Sequence, residues 1–206
     1  MDDCQKSQSQ HWSIISSPNG SSNANFLFSV SAASANDIWA VGEYDLTMGT
    51  PTLTEHWNGT QWSVVSSPNP GLYNMLNGVA AISATNAWVV GNSESQAMIE
   101  HWNGTQWNIV SGPIPPSQDY FLNGISATSA NNVWAVGSYV PENGLIQTLT
   151  EHWNGARWSI VPSPNLNPNG SVFEAATNIP GSKHVWAVGT TSPLSGGANT
   201  LTAYHC

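Results

Sequence analysis

The segment EHWNGTQWSVVSSPN at 55–69 returns as EHWNGTQWNIVS at 100–111 and as EHWNGARWSIVPSPN at 151–165. A chain that copies itself at a near-constant interval does not fold around one unique core. Each copy must form the same local unit and bury its apolar face against the next copy. The second tryptophan of the segment recurs at Trp12, Trp62, Trp107 and Trp158, at intervals of 50, 45 and 51 residues. A second motif, NDIWAVG at 36–42, recurs as NAWVVG (86–91), NNVWAVG (131–137) and HVWAVG (184–189). The first tryptophan of the segment is Trp57, Trp102 and Trp153, and a fourth copy survives as TLTAYHC at 200–206 against TLTEHWN at 52–58. These positions account for all eleven tryptophans. None is left over for a unique site.

Each copy holds four short extended segments and no helical period. In the first they are 25–33, 38–44, 52–58 and 61–66, rich in β-branched and aromatic residues. Asn58-Gly59 is a strong two-residue hairpin signal. It predicts Trp57 opposite Thr60 and Glu55 opposite Trp62, with the two indoles diagonal on one face. Four strands per 45 to 51 residues with Trp and Gly signatures predict an all-β β-propeller of four blades, each of four antiparallel strands. The small-residue segments FLFSVSAASA, MLNGVAAISA, FLNGISATSA and VFEAATNIPG suit the crowded innermost strands. The blades are expected at about 25–66, 75–111, 121–162 and 171–206 within a single domain spanning 1–206.

The ends complement each other. The chain opens with an outermost-type strand at 10–16 and closes on a copy that lacks one. The first strand is therefore expected to complete the last blade, three strands plus one, which removes two open sheet edges. The same logic allows a dimer in which two chains form one eight-blade ring. Cys4 and Cys206, the two cysteines, sit at opposite ends. They are either unrelated thiols or a disulfide that locks the ring.

Charged residues make up 7% of the chain, three basic against twelve acidic, for a net charge of −9. So few cations exclude nucleic acid, since phosphate neutralisation needs Lys and Arg. They likewise disfavour anionic membrane surfaces, and no apolar run is long enough for membrane insertion as a helix. MDDCQKSQSQ has no hydrophobic signal region. The Asn-, Ser- and Trp-rich, Lys-poor composition nonetheless fits a secreted or cell-surface protein whose signal has been removed.

The pair SANDxWAVG and EHWNGTxWSxVxSPNPG resembles tandem repeats of secreted bacterial proteins. Those repeats are similar to β-propellers distantly related to kelch and galactose-oxidase propellers. The resemblance spans about 10–206 and implies a fold, with no assigned activity for most members. The chain departs from the pattern at Ala203-Tyr204-His205-Cys206 and at 178–184, both in the closing blade. The near-identity of the copies also fits an engineered or excised repeat protein.

His56, His101 and His152 occupy one repeated position, as do Glu55, Glu100 and Glu151. Being on different blades, they cannot converge on a metal, whose ligands must lie within about 2.2 Å of it. No metal or other cofactor is expected. Catalysis would need groups that break the repeat, and neither a phosphate loop nor a nucleophile elbow is present. The acids outside the repeat, Glu43, Asp45, Glu94, Asp119, Glu142 and Glu174, are scattered. The expectation is a non-catalytic binding or scaffold module taking a glycan or protein ligand, as a monomer or homodimer. The alternative is a carbohydrate-binding lectin, and a glycosidase-like enzyme comes third. Ligand contacts are expected on the face carrying the long variable loops, from Tyr44, Asp45, Tyr73, Asp119, Tyr120, Tyr139 and Glu142.

Overall fold

A computed structural model describes residues 11–142, 144–166, 170–192 and 197–206. The strands are β1 (Asn25–Ser34), β2 (Asp37–Tyr44), β3 (Thr52–Trp57), β4 (Trp62–Val64), β5 (Asn74–Ser83), β6 (Asn86–Ser93), β7 (Gln96–Trp102) and β8 (Trp107–Ile109). They continue as β9 (Ser117–Ser129), β10 (Asn132–Pro141), β11 (Gln147–Trp153), β12 (Trp158–Ile160), β13 (Ser171–Asn178), β14 (Val185–Thr191) and β15 (Asn199–His205). Each consecutive group is its own antiparallel meander: β1–β4, β5–β8, β9–β12 and the three-stranded β13–β15. The first strands β1, β5, β9 and β13 pack side by side in that order, which is the arrangement of propeller blades. The small-residue segments are therefore innermost, where blades approach most closely.

Side chains link these inner strands. Val79 N–H and Ala81 N–H donate to the Ser29 and Ser31 hydroxyls at 3.3 and 3.0 Å, and Asn178 N–H donates to Ser126 at 2.9 Å. Asn77 and Asn123 each reach the next blade's carbonyl, Leu122 O and Phe173 O, at 2.9 Å. The long loops join the blades on one face, with Asn74 N–H bonded to Thr50 O, Tyr120 N–H to Ser95 O and Ser171 N–H to Ile146 O.

Between blades lie the cores. Trp39 and Val41 pack with Leu76, Val79, Met98 and Trp107, and Trp88 and Val90 pack with Leu122, Ile125, Leu149 and Trp158. Val136 packs with Phe173, Ala187 and Leu201. Burying one indole of roughly 200 Å² contributes about 5 kcal/mol before the ordering entropy is counted. That makes these interfaces, rather than any single sheet, the main source of stability.

The glycine of each WAVG-type motif has a steric reason. In every blade the innermost strand carries a bulge beside it, at Leu27/Ser29, Leu76/Gly78, the Val136/Gly137 step and Phe173/Ala175. The bulge presses a carbonyl oxygen into the place of a Cβ, 1.9 to 2.0 Å from where one would stand on Gly42, Gly91, Gly137 or Gly189.

Two expectations are corrected. The hairpin pairs Trp57 with Trp62 and Glu55 with Val64, so each partner lies two residues beyond the predicted one. The Asn58 carboxamide accepts from Thr60 N–H and Gln61 N–H at 3.0 and 3.1 Å, which moves the tip to Gly59 (φ +95°) and Thr60. The N-terminal strand does not complete the fourth blade. Residues 11–19 form no strand, Trp12 and Ile14 are fully exposed, and the outer edge of β15 has no partner strand among the described residues. Cys206 is exposed, and Cys4, its proposed partner, lies outside the described residues.

The bulge makes a direct prediction. Gly91→Ala should cost about 3 kcal/mol in urea unfolding, as overpacking against backbone does. Gly78→Ala, whose Cβ would meet nothing nearer than 3.2 Å, should cost clearly less.

Candidate functional site

The repeated polar residues are consumed within the scaffold. His56 Nε2 bonds Asp37 Oδ1 at 2.7 Å, His101 bonds Asn86 at 3.1 Å, and His152 bonds Asn132 at 2.8 Å. In the fourth blade the pair is exchanged: Tyr204 OH meets His184 Nδ1 at 2.6 Å. Each of these rings lies on its blade's own indole, with centroids 4.5, 4.3, 4.4 and 4.9 Å apart. Burial lowers the His101 and His152 pKa values, and for His152 the nearby His205 and Lys183 charges add to it. Among the described residues no cluster of His, Cys, Asp or Glu could hold a metal ion.

The repeated glutamates, recognised in the sequence as one repeated position, are more deeply buried than that position alone suggested. Glu55, Glu100 and Glu151 are fully buried on the strand face that also carries Trp57, Trp102 and Trp153. That face points to the preceding blade, so Glu100 and Glu151 are enclosed between blades. The backbone of Gly112, from the linker after β8, approaches Glu151 so closely that a Cβ there would stand 3.3 Å from its Oε2. Glu100 has neither oxygen paired within the described residues. Burial raises the pKa of Glu100 and of Glu151 to about 8, so both are protonated at neutral pH. Glu55 is also raised by burial, partly offset by a hydrogen bond from Ser17. The signal in the sequence was the invariant Thr-Glu-His or Ile-Glu-His context, with Ala203 in the fourth copy.

The loop-face residues separate into two groups. The β1–β2 and β9–β10 registers (Asn25 with Tyr44, Tyr120 with Tyr139) put both groups at the same end of the blades. On the first blade, Tyr44 covers Gly20, in the segment before β1, and is half-buried. Asp45 is half-buried, with its carbonyl accepting from Ser21 at 2.8 Å. Tyr73 stands 54% exposed beside Thr50. Glu94, at φ +54°, accepts from the Leu72 and Tyr73 N–H groups, so its carboxylate supports this loop. On the third blade Asp119 and Glu142 are exposed, and the Tyr139 hydroxyl donates to Gln147 at 2.5 Å. Tyr139 also borders a groove of about 180 Å³ with Pro115, Pro116 and Pro162, which is smaller than pockets that enclose a drug-sized ligand.

Tyr120 is a correction. Its ring is buried in the core between the second and third blades, where burial and the Glu151 charge raise its pKa. Its strand turns it inward, away from the loop surface. The Glu43 pKa is also raised, by burial first and then by the charge of Asp45.

No protein-family model and no curated protein matches the chain. Thirty-seven chains of known structure match it in fold. One is a structure of YCF48 bound to D1 peptide, 14% identical, with a TM-score of 0.49 over 84% of this chain and 52% of that one. The chain thus spans about half the length of that relative, and nothing about ligand or activity carries across at this level of likeness. The class itself is plain from the described residues: an all-β, tryptophan-rich protein of β-propeller blades. No described helix is long and apolar enough to cross a membrane.

The buried glutamates set a pH dependence. Their folded pKa of about 8 lies above the 4.5 of the free side chain, so their contribution is fully present below pH 4.5 and is lost as pH rises through 8. Between those values stability should fall by about 1.4 kcal/mol per pH unit for each of the two. Thermal unfolding of the protein against pH should show that fall, and Glu100→Gln should remove a share of it.

Proposed function

We propose that this chain is a non-catalytic binding or scaffold module of the propeller class, secreted or cell-surface, which offers its loop face to a glycan or protein ligand. One observation carries the reading. The repeated His, Glu and Trp residues are spent on pairing within blades and packing between them, whereas the groups that differ between copies gather at one end. Tyr73 is exposed and Tyr44 and Asp45 are half-buried on the first two blades, while Asp119 and Glu142 are exposed on the third, so aromatic and acidic groups are accessible there.

A lectin is the narrower form of this reading. Trp39, Trp88 and Trp134 are buried between blades, so a sugar site repeated in every blade would have no free ring of that set to stack on. A glycan would instead be held by the loop tyrosines, by ring stacking and hydrogen bonds. A glycosidase is favoured only by the Glu43–Asp45 pair, and neither residue lines the groove beside the first blade. A scaffold of this kind also needs its blade stack closed, by its own ends as four blades or by a further set of blades as eight.

Glycan and peptide arrays test the reading. The expected result is a set of hits lost in Tyr73→Ala with the far-UV circular dichroism unchanged, and no turnover of chromogenic glycosides. Turnover abolished by Glu43→Gln would overturn it in favour of an enzyme.

A further inference from the structure

Three blade-to-blade interfaces repeat one arrangement, and the two end faces carry its two halves without their partners. The strand-two indole of each blade inserts against the hairpin residues of the next. Trp39 meets Trp102 and Trp107 at 4.9 Å each, and Trp88 meets Trp153 and Trp158 at 4.9 and 5.3 Å. Trp134 meets His205 at 4.7 Å. The fourth member, Trp186, meets no hairpin of another blade among the described residues: it is 44% exposed, where its three equivalents are 1, 2 and 4% exposed. Val188 is equally open, although Val41, Val90 and Val136 at its position are buried.

The first blade presents the missing half. Trp57 and Trp62 form the same ring pair, 5.8 Å apart, as Trp102–Trp107 and Trp153–Trp158 at 5.7 and 6.0 Å, yet Trp62 is only half-buried. Leu27 is 45% exposed, where Leu76, Leu122 and Phe173 are 0%. These residues border an open, mostly apolar groove of about 350 Å³ that Leu27, Phe28, Val30 and Trp62 share with Ile15 and Ser17.

We infer that these two ends are one interface, occupied by a second copy of this chain docked head to tail. Trp186 of one copy enters the Trp57–Trp62 pair of the other. The segment Trp12-Ser13-Ile14 of that other copy then adds the fourth strand to β13–β15. The register follows from the intact hairpins, in which Glu55 pairs with Val64, His56 with Ser63 and Trp57 with Trp62. The same spacing pairs Ala203 with Ile14, Tyr204 with Ser13 and His205 with Trp12. Ser17 already bonds Glu55, so the N-terminal segment leaves the first blade's face as a linker from a preceding blade would.

The chain's own tail is not the partner. The ring contacts at the three interfaces all fall between 4.7 and 5.3 Å, and with the blades so arranged Trp186, Val188 and Leu27 stay open instead of covering one another within one chain. Self-closure would have to alter all three. Two copies make eight blades, at the upper end of the four to eight typical of propellers. A two-fold axis then relates two identical interfaces, and neither sheet edge nor apolar face remains open.

The test is the solution mass of the 206-residue protein at micromolar concentration. The expected value is twice the chain mass of 21.9 kDa. Trp186→Glu and Trp62→Glu should each give a folded single chain by circular dichroism. Mixing the two should restore the doubled mass, because one supplies an intact head and the other an intact tail. A single-chain mass for the unsubstituted protein overturns the inference in favour of self-closure. A ladder of larger masses overturns closure at two copies. A doubled mass that survives both substitutions places the dimer elsewhere and also overturns it.

Discussion

The contact on which this protein depends is an indole from the second strand of one blade packed against the aromatic hairpin of the next. Each sheet is only three or four strands wide, and a blade has no other large apolar surface to bury. Because β-strand side chains alternate faces, one blade offers its WAVG-type tryptophan forward and its hairpin pair backward. Stacking therefore propagates in one direction along the chain. Within an array of this kind each unit is stabilised mainly by its neighbours, and the units at the ends are short of one neighbour each.

Polar chemistry is subordinate to that packing. The histidine beside each indole is oriented by an Asp or Asn two residues before the tryptophan, and the fourth blade keeps the interaction with the residue types exchanged, Tyr204 with His184. The glutamates are the costly element. A carboxyl group enclosed between blades is tolerated because protonation removes its charge, which turns a buried ion into a smaller buried dipole. Their presence makes blade packing weaken as pH rises from 4.5 through 8.

Much of the architecture was legible before any coordinates. The strands of the first blade start and stop within three residues of the expected bounds, because alternation and Gly or Asn turns mark them locally. The assignment of every tryptophan to a repeat position also anticipated that the indoles would be structural. What escaped was anything decided by a side chain acting on the backbone or by the following blade. The hairpin register turned on the Asn58 carboxamide, which an Asn-Gly rule does not weigh. Tyr120 looked like a loop residue by position, yet β9 extends back to Ser117 and turns that ring into the core.

Sequence by itself determined the unit: four strands, a bulge-facing glycine, two aromatic half-interfaces and their order along the chain. These are local properties, carried by residue type and spacing, and repetition makes them read more clearly. Tertiary structure alone decided how the units add up. The angle between successive blades comes from the packing of whole indoles and small inner-strand residues, and that packing, which no local sequence pattern specifies, separates a ring that closes from an arc that does not. That angle left Trp186 and Leu27 facing solvent and Trp12 off its expected strand. The hairpin that announced the fold thus also shows, at Trp57 and Trp62, a half-interface without the neighbouring indole that its equivalents have among the described residues.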